Sequence, residues 1–169
     1  AEFTGAKHVI PCGNGTDALQ IALMALDVGP GDEVITTGFT FISTVEVVAL
    51  MGAKPVLVDV HPDTFTIDAA QVRAAITPRT KAIVPVHLFG QMADMDALME
   101  ISETSGVPII EDNAQAIGAA WCGERHGQSG TLGLMGTTSF FPSKNLGCMG
   151  DGGAIVTSDD AVATRCKQI

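Results

Sequence analysis

No tyrosine occurs among the 169 residues of this chain, and only one tryptophan; Lys and Arg together number 9 against 19 Asp and Glu. Without tyrosine, no phenol from this chain can serve as a hydrogen-bond partner for a ligand. The net charge of −10 argues against a nucleic-acid partner, because phosphate backbones are held by clustered Lys and Arg. It leaves room for a small anion bound by backbone amides at a helix start. No apolar run approaches the ~20 residues needed to cross a bilayer, so no membrane partner is expected. The N-terminus carries no basic, apolar leader, and the chain reads as cytoplasmic. Cys12, Cys122, Cys148 and Cys166 lack C-x-x-C spacing and are expected to be free and reduced. His8, His61, His87 and His126 show no metal-ligand spacing either, so no metal is expected.

What the chain does have is apolar residues, 46% of the total with a mean hydropathy of +0.32. Strands covered by helices on both faces read as near-continuous apolar runs and raise both figures; so does a surface meant to meet another domain or subunit. Strands are expected at His8–Cys12, Glu33–Thr37, Lys54–Val60, Lys81–Val86, Val107–Glu111, Thr137–Phe141 and Gly153–Thr157. Helical spacing fills Asp17–Leu26, Ser43–Leu50, Asp68–Ala75, Asp94–Ser105 and Asp159–Gln168. Such alternation predicts one α/β domain with an open, mostly parallel sheet and helices on both faces. Only a Gly-rich loop separates Thr137–Phe141 from Gly153–Thr157, too short for a crossover helix, so the last strand should run antiparallel. The chain starts almost on a strand and stops inside a helical pattern, which suggests a piece of a longer protein.

Three segments carry chemistry. Cys12-Gly-Asn-Gly-Thr-Asp-Ala-Leu joins a strand to an apolar helix. Its glycines allow a tight turn, Thr16 is a cap candidate, and the free amides with the positive dipole end receive an anion. An ordinary capped turn fits too, and so does a dinucleotide fingerprint through Gly13, Gly15 and Ala18. The fingerprint needs an acid closing the second strand, whereas Glu33 opens that strand and Thr36-Thr37 closes it. Pro108-Ile-Ile-Glu-Asp-Asn-Ala-Gln places Glu111 and Asp112 at the carboxyl edge of the sheet, where α/β folds bind ligands. A carboxylate there can keep a pyridine nitrogen protonated; a metal-binding pair and a solvated strand end are the alternatives. In Thr138-Ser-Phe-Phe-Pro-Ser-Lys-Asn-Leu-Gly-Cys-Met-Gly-Asp-Gly-Gly, Lys144 sits between a strand, a proline and a Gly-rich loop. A lysine aimed inward from a fixed backbone suits a nucleophile and proton carrier better than a surface charge. A phosphate turn, an acid at a strand end and a lysine beyond the next strand is the order required by pyridoxal-phosphate enzymes of the aspartate-aminotransferase fold.

Over nearly all of its length the chain resembles the DegT/DnrJ family of nucleotide-sugar aminotransferases. The resemblance rests on Asn14-Gly-Thr-Asp-Ala-Leu, Gly31-Asp-Glu-Val-Ile, Phe39-Thr-Phe-Ile-Ser-Thr, Glu111-Asp-Asn-Ala-Gln and Ser139-Phe-Phe-Pro-Ser-Lys-Asn-Leu-Gly. It implies a fold-type I large domain binding pyridoxal 5′-phosphate. Lys144 would be the Schiff-base lysine, Asp112 the partner of the pyridine nitrogen, and Gln115 the partner of the ring oxygen. Gly15, Thr16 and Ser139 would meet the phosphate, with Phe41 stacked on the ring. The implied substrates are a nucleotide-linked keto sugar and an amino-acid donor, L-glutamate. Gly150-Asp-Gly-Gly looks most like members that aminate 3-keto uronate sugars for O-antigen and lipopolysaccharide synthesis. Members of the family are homodimers that complete each site from the partner. They also carry an N-terminal helical segment and a C-terminal small domain, so residues 1–169 would be the cofactor-binding large domain alone. With no tyrosine, Gln115 is the natural donor to the ring oxygen. With no arginine between Arg125 and Arg165, the phosphate has to rely on amides and hydroxyls. A dehydratase of the same family would carry histidine where Lys144 stands; a dinucleotide-binding module is the rival from another class.

Overall fold

The computed structural model describes residues 1–169, in which nine strands and five helices follow one another along the chain. In order they are β1 (His8–Cys12), α1 (Gly15–Ala25), β2 (Glu33–Thr37), α2 (Ser43–Leu50), β3 (Lys54–Val58), α3 (Ala69–Ala75) and β4 (Thr80–Val84). After a single 3-10 turn at Leu88–Gly90 come α4 (Met95–Ser105), β5 (Ile110–Asp112), β6 (Ala120–Cys122), β7 (His126–Gln128), β8 (Met135–Ser139), β9 (Gly153–Thr157) and α5 (Asp160–Gln168). One ladder runs β3-β2-β4 and another β5-β8-β9-β1. Parallel bridges from Ile83 to Ile109 and from Val86 to Asp112 join them into one sheet. The pairings β2/β3, β2/β4 and β5/β8 are parallel, while β9 runs antiparallel to both β8 and β1. The sheet is mixed, as the short Gly-rich loop before β9 predicts.

Side chains alternate across each buried strand and so feed two cores. Val34, Ala82, Val84 and Ile110 face a core with α1, α2 and α5. Their neighbours Ile35, Ile83 and Ile109 face the other, with α3 and α4. Both faces are therefore covered, which accounts for the apolar β2 and β4. Each fully buried aliphatic side chain, such as Leu23 or Ile83, contributes about 1.5–3 kcal/mol relative to exposure.

Four of the five helices start at a side-chain cap, and α2 starts without one. Asp68, Asp94 and Asp159 accept from the first-turn amides of α3, α4 and α5. For α1 the cap is Asn14, not Thr16: Asn14 Oδ1 accepts from the Asp17 amide at 2.8 Å, which leaves Thr16 inside the first turn. Strand limits shift too, with β8 starting two residues before the expected Thr137 and β5 reaching Asp112. The β6/β7 hairpin was not legible in the sequence. Its strands have three residues each with no apolar alternation, and its turn is held from outside. Asp96, on α4, accepts from the amides of Glu124 and Arg125, both at 2.9 Å.

Candidate active site

The carboxyl ends of the central strands open onto a cleft of about 600 Å³, within the range of small-molecule sites. Gly15, Thr16, Phe41, Asp112, Gln115, Ser139 and Lys144, singled out above from four separate stretches of sequence, all line it.

One wall is the start of α1. The amides of Gly15 and Thr16 belong to the first turn, where no intrahelical acceptor is in reach, and they sit at the positive end of the helix dipole. Gly15 is pressed against β8: a Cβ built there would lie 2.6 Å from Cβ of Ser139 and 3.1 Å from its Oγ. Gly153 packs the turn from β9, where a Cβ would approach the Asn14 carbonyl oxygen to 2.2 Å. The two glycines let helix start and strand ends close into an anion cradle with the Ser139 hydroxyl alongside.

Asp112 ends β5 and is 4% exposed. Its Oδ2 accepts from the Thr44 hydroxyl at 2.8 Å and its Oδ1 from the Ala114 amide at 3.1 Å. Burial pushes its carboxyl above the usual aspartate range; the bonds from Thr44 and Ala114 and the neighbouring His87 and Lys144 pull it back. Glu111 points the opposite way and is wholly buried. It accepts from His87 Nε2 at 2.8 Å and from the amides of Gly130, Leu132 and Gly133 at 2.8, 2.7 and 2.6 Å. The two carboxylates thus cannot share an ion. Asp112 serves the cleft, and Glu111 anchors a loop.

Lys144 is half-buried, with Nζ 6.0 Å from the Phe41 ring centroid. Its loop is tied to itself: the Lys144 amide donates to the Phe141 carbonyl, Cys148 to Phe140, and Phe140 to Gly152, at 2.8, 2.8 and 2.7 Å. Gln115 lines the cleft with its Oε1 held by the Phe89 amide at 3.0 Å. Asp151, from Gly150-Asp-Gly-Gly, and Ser143 also line it. Thr44 was not singled out from the sequence, because its acceptor lies 68 residues away; neither was the contact from Phe89.

Glu33, the one acid near the place a dinucleotide would need, sits at the opposite, amino edge of the sheet. There it is buried and bound by Thr77, Arg79 and Lys54. Hydrogen bonds from Thr77 and then Arg79 lower its pKa to about 2. Placed so, it cannot reach a ribose in the cleft. Pyridoxal phosphate fits instead: the open amides of Gly15 and Thr16, the buried Asp112 carboxylate, the Gln115 amide and the single Lys144 amine would suit its phosphate, its polar ring and its aldehyde.

Known proteins match this chain over nearly all of its length. The model of the DegT/DnrJ/EryC1/StrS aminotransferase family matches residues 1–169. The UDP-2-acetamido-2-deoxy-3-oxo-D-glucuronate aminotransferase of Pseudomonas aeruginosa is 60% identical over 169 residues, 100% of this chain and 46% of the relative. The crystal structure of a DegT DnrJ EryC1 StrS aminotransferase from Brucella abortus superposes with a TM-score of 0.94 at 46% identity, covering 99% of this chain and 46% of that one. NtdA from Bacillus subtilis, solved with bound cofactor PMP, gives a TM-score of 0.88 at 40% identity, over 96% of this chain and 36% of its own. The chain spans less than half the length of these relatives. No helix is long and apolar enough to cross a membrane.

Proposed function

The chain belongs to the DegT/DnrJ/EryC1/StrS aminotransferase family, and on that premise we propose that residues 1–169 are the pyridoxal-phosphate-binding large domain of a nucleotide-sugar aminotransferase. It moves nitrogen from an amino-acid donor, L-glutamate, to the keto group of a nucleotide-linked sugar. The observation that carries the reading is the meeting of Lys144, Asp112 and the open amides of Gly15 and Thr16 in one cleft.

Pyridoxal phosphate, when bound, supplies an electron sink for a carbanion. The chain's own residues do the rest. Gly15, Thr16 and Ser139 bind the phosphate through amides and an alcohol, with no cation. Asp112 holds a proton on the ring nitrogen, and its burial strengthens that pairing. Gln115 would donate to the ring oxygen, and Phe41 would cover the ring. Lys144 is the only amine lining the cleft; it would hold the cofactor's aldehyde carbon, and its Nζ would carry the proton taken from the donor's α-carbon.

The Pseudomonas relative favours a UDP-linked 3-keto uronate as the acceptor, and with it a place in lipopolysaccharide or O-antigen synthesis. Lys144 stands against three lining carboxylates, Asp17, Asp112 and Asp151. A diphosphate and a uronate therefore need cations from outside these residues, which supports a homodimer completing the site. The enzyme so described works in the cytoplasm. The test is transfer of ¹⁵N from glutamate by the full-length protein to a panel of UDP-, GDP- and dTDP-linked keto sugars. Label in the amine of a 3-keto uronate product, with equimolar 2-oxoglutarate, is the expected result. No transfer to any keto sugar would overturn the reading.

A further inference from the structure

Asp112 reaches its place by a contact the strand alone does not provide. β5 ends at this residue, and Oδ1 is held locally by the Ala114 amide at 3.1 Å. The other oxygen, Oδ2, is held from a different element: Thr44, in the first turn of α2, donates its hydroxyl at 2.8 Å. Thr44 is 1% exposed and does not line the cleft, so it cannot bind substrate itself. The same turn carries a ring that does face the cleft, since the Thr44 amide bonds the Phe41 carbonyl at 3.4 Å. Ser43, beside it, does line the cleft, yet Asp112 is bonded by the Thr44 alcohol and not by that one.

Both bonds to Asp112 come from neutral donors, and both favour its charged form. A buried carboxylate without them tends to take up a proton from solvent, and a neutral acid no longer favours a protonated ring nitrogen. A single hydroxyl also fixes the rotation of the carboxylate, hence the direction in which its remaining lone pairs face the cleft. We propose that Thr44 is a positioning residue that acts through Asp112, setting the charge and the aim of the carboxylate that meets the ring nitrogen of the cofactor. The proposal rests on the pyridoxal-phosphate reading above. It extends that reading to a residue with no contact to cofactor or substrate.

The test compares Thr44→Ser, Thr44→Ala and Thr44→Val in the full-length holoenzyme, beside Asp112→Asn. Ser and Ala differ by one oxygen, so that pair decides the matter even where Val upsets packing. Three quantities are read: the pH dependence of the bound cofactor's absorbance, the dissociation constant for pyridoxal phosphate, and kcat against KM for the donor. A hydrogen bond to a charged group corresponds to about a ten- to hundredfold change. Thr44→Ala and Thr44→Val should lose about that much in kcat with donor KM nearly unchanged, and should move the absorbance titration in the direction that Asp112→Asn moves it. Thr44→Ser should behave as the parent. If Ser and Ala are equally impaired, or neither moves the titration while Asp112→Asn does, the positioning role is overturned and the cofactor reading stands. Borohydride that fixes no cofactor to the parent, together with an Asp112→Asn variant as active as the parent, would sink the cofactor reading itself.

Discussion

The backbone amide of Phe89 donates to Oε1 of Gln115 at 3.0 Å, from a residue whose φ of 55° lies in the left-handed region that few side chains adopt. An N–H can only meet an acceptor, so this contact settles which end of the Gln115 amide is which. The oxygen is spent on Phe89, and the NH2 group, with two donors, is left for the cleft.

Removing that donor should be visible in the cofactor itself. Gln115→Leu is expected to raise the pH at which the ring hydroxyl of bound pyridoxal phosphate ionises, by about 1–2 units for a bond to a charged oxygen. Gln115→Glu can still accept from Phe89 but sets a carboxylate oxygen against the ring oxygen, so it should hold the cofactor no better than Leu. Absorbance titration of the three proteins measures both effects. A Glu variant that titrates like the parent would mean the NH2 group points elsewhere.

Gly15→Ala should impair phosphate binding beyond its effect on the fold. The added methyl would sit 2.6 Å from Cβ of Ser139, so α1 and β8 must move apart, at a cost of about 1–3 kcal/mol for an overpacked contact. Fluorescence titration should show weakened binding of pyridoxal phosphate and of inorganic phosphate as competitor. Unchanged affinity for both would remove Gly15 from the cradle.

Lys144→Ala should abolish amino transfer and leave no cofactor fixed by borohydride, with noncovalent binding through Asp112 and the α1 amides retained. Mass spectrometry of the reduced parent protein locates the adduct. Its appearance on Lys7, Lys54, Lys81 or Lys167 would displace Lys144 from its role.

Glu111 lies beside Asp112 in sequence, yet its removal should act on stability first. Glu111→Ala leaves His87 Nε2 and the amides of Gly130, Leu132 and Gly133 without their acceptor. Leaving even one buried donor unpaired costs about 1–3 kcal/mol, so the melting temperature should fall by several degrees, on the order of 2–4 °C per kcal/mol for a domain of this size. Glu111→Gln keeps an oxygen and should fall less. Equal, negligible shifts for both would mean that the 130–133 loop is held by other contacts.

At the far edge of the sheet, Glu33 makes a prediction about acid. Thr77 and Arg79 lower its pKa from the ordinary 4.5 to about 2. A carboxylate whose folded pKa lies below its unfolded one adds stability above the unfolded value, and loses it as pH falls towards the folded value. Its share of stability should therefore drain away between about pH 4.5 and pH 2. Denaturant melts of the parent and Glu33→Gln across that window should show a shallower acid slope for the variant. Parallel slopes would count against the pairing with Arg79 and Lys54.

The sequence by itself determined what depends on neighbours along the chain. Short β-rich runs marked β2 and β4, helical spacing marked α1 and α4, aspartates at positions 68, 94 and 159 marked helix starts, and the short Gly-rich loop required β9 to reverse. The residues of the site were legible for the same reason, since each stands in a compact run such as Glu111-Asp-Asn-Ala-Gln. Tertiary structure decided every choice between locally equivalent options. Asn14 and Thr16 can both cap a helix; the helix begins at Gly15 because that residue is pressed on Ser139 and the Asn14 carbonyl against Gly153. Glu111 and Asp112 are both acids at a strand end, and only the 130–133 loop on one face and Thr44 on the other separate an anchor from a cleft residue. The β6/β7 hairpin needs Asp96 from α4, and Asp112 needs a hydroxyl from 68 residues away. Local patterns are written in periods of two and 3.6 residues, whereas a contact between distant segments leaves no period, only two groups that must find each other when the sheet closes.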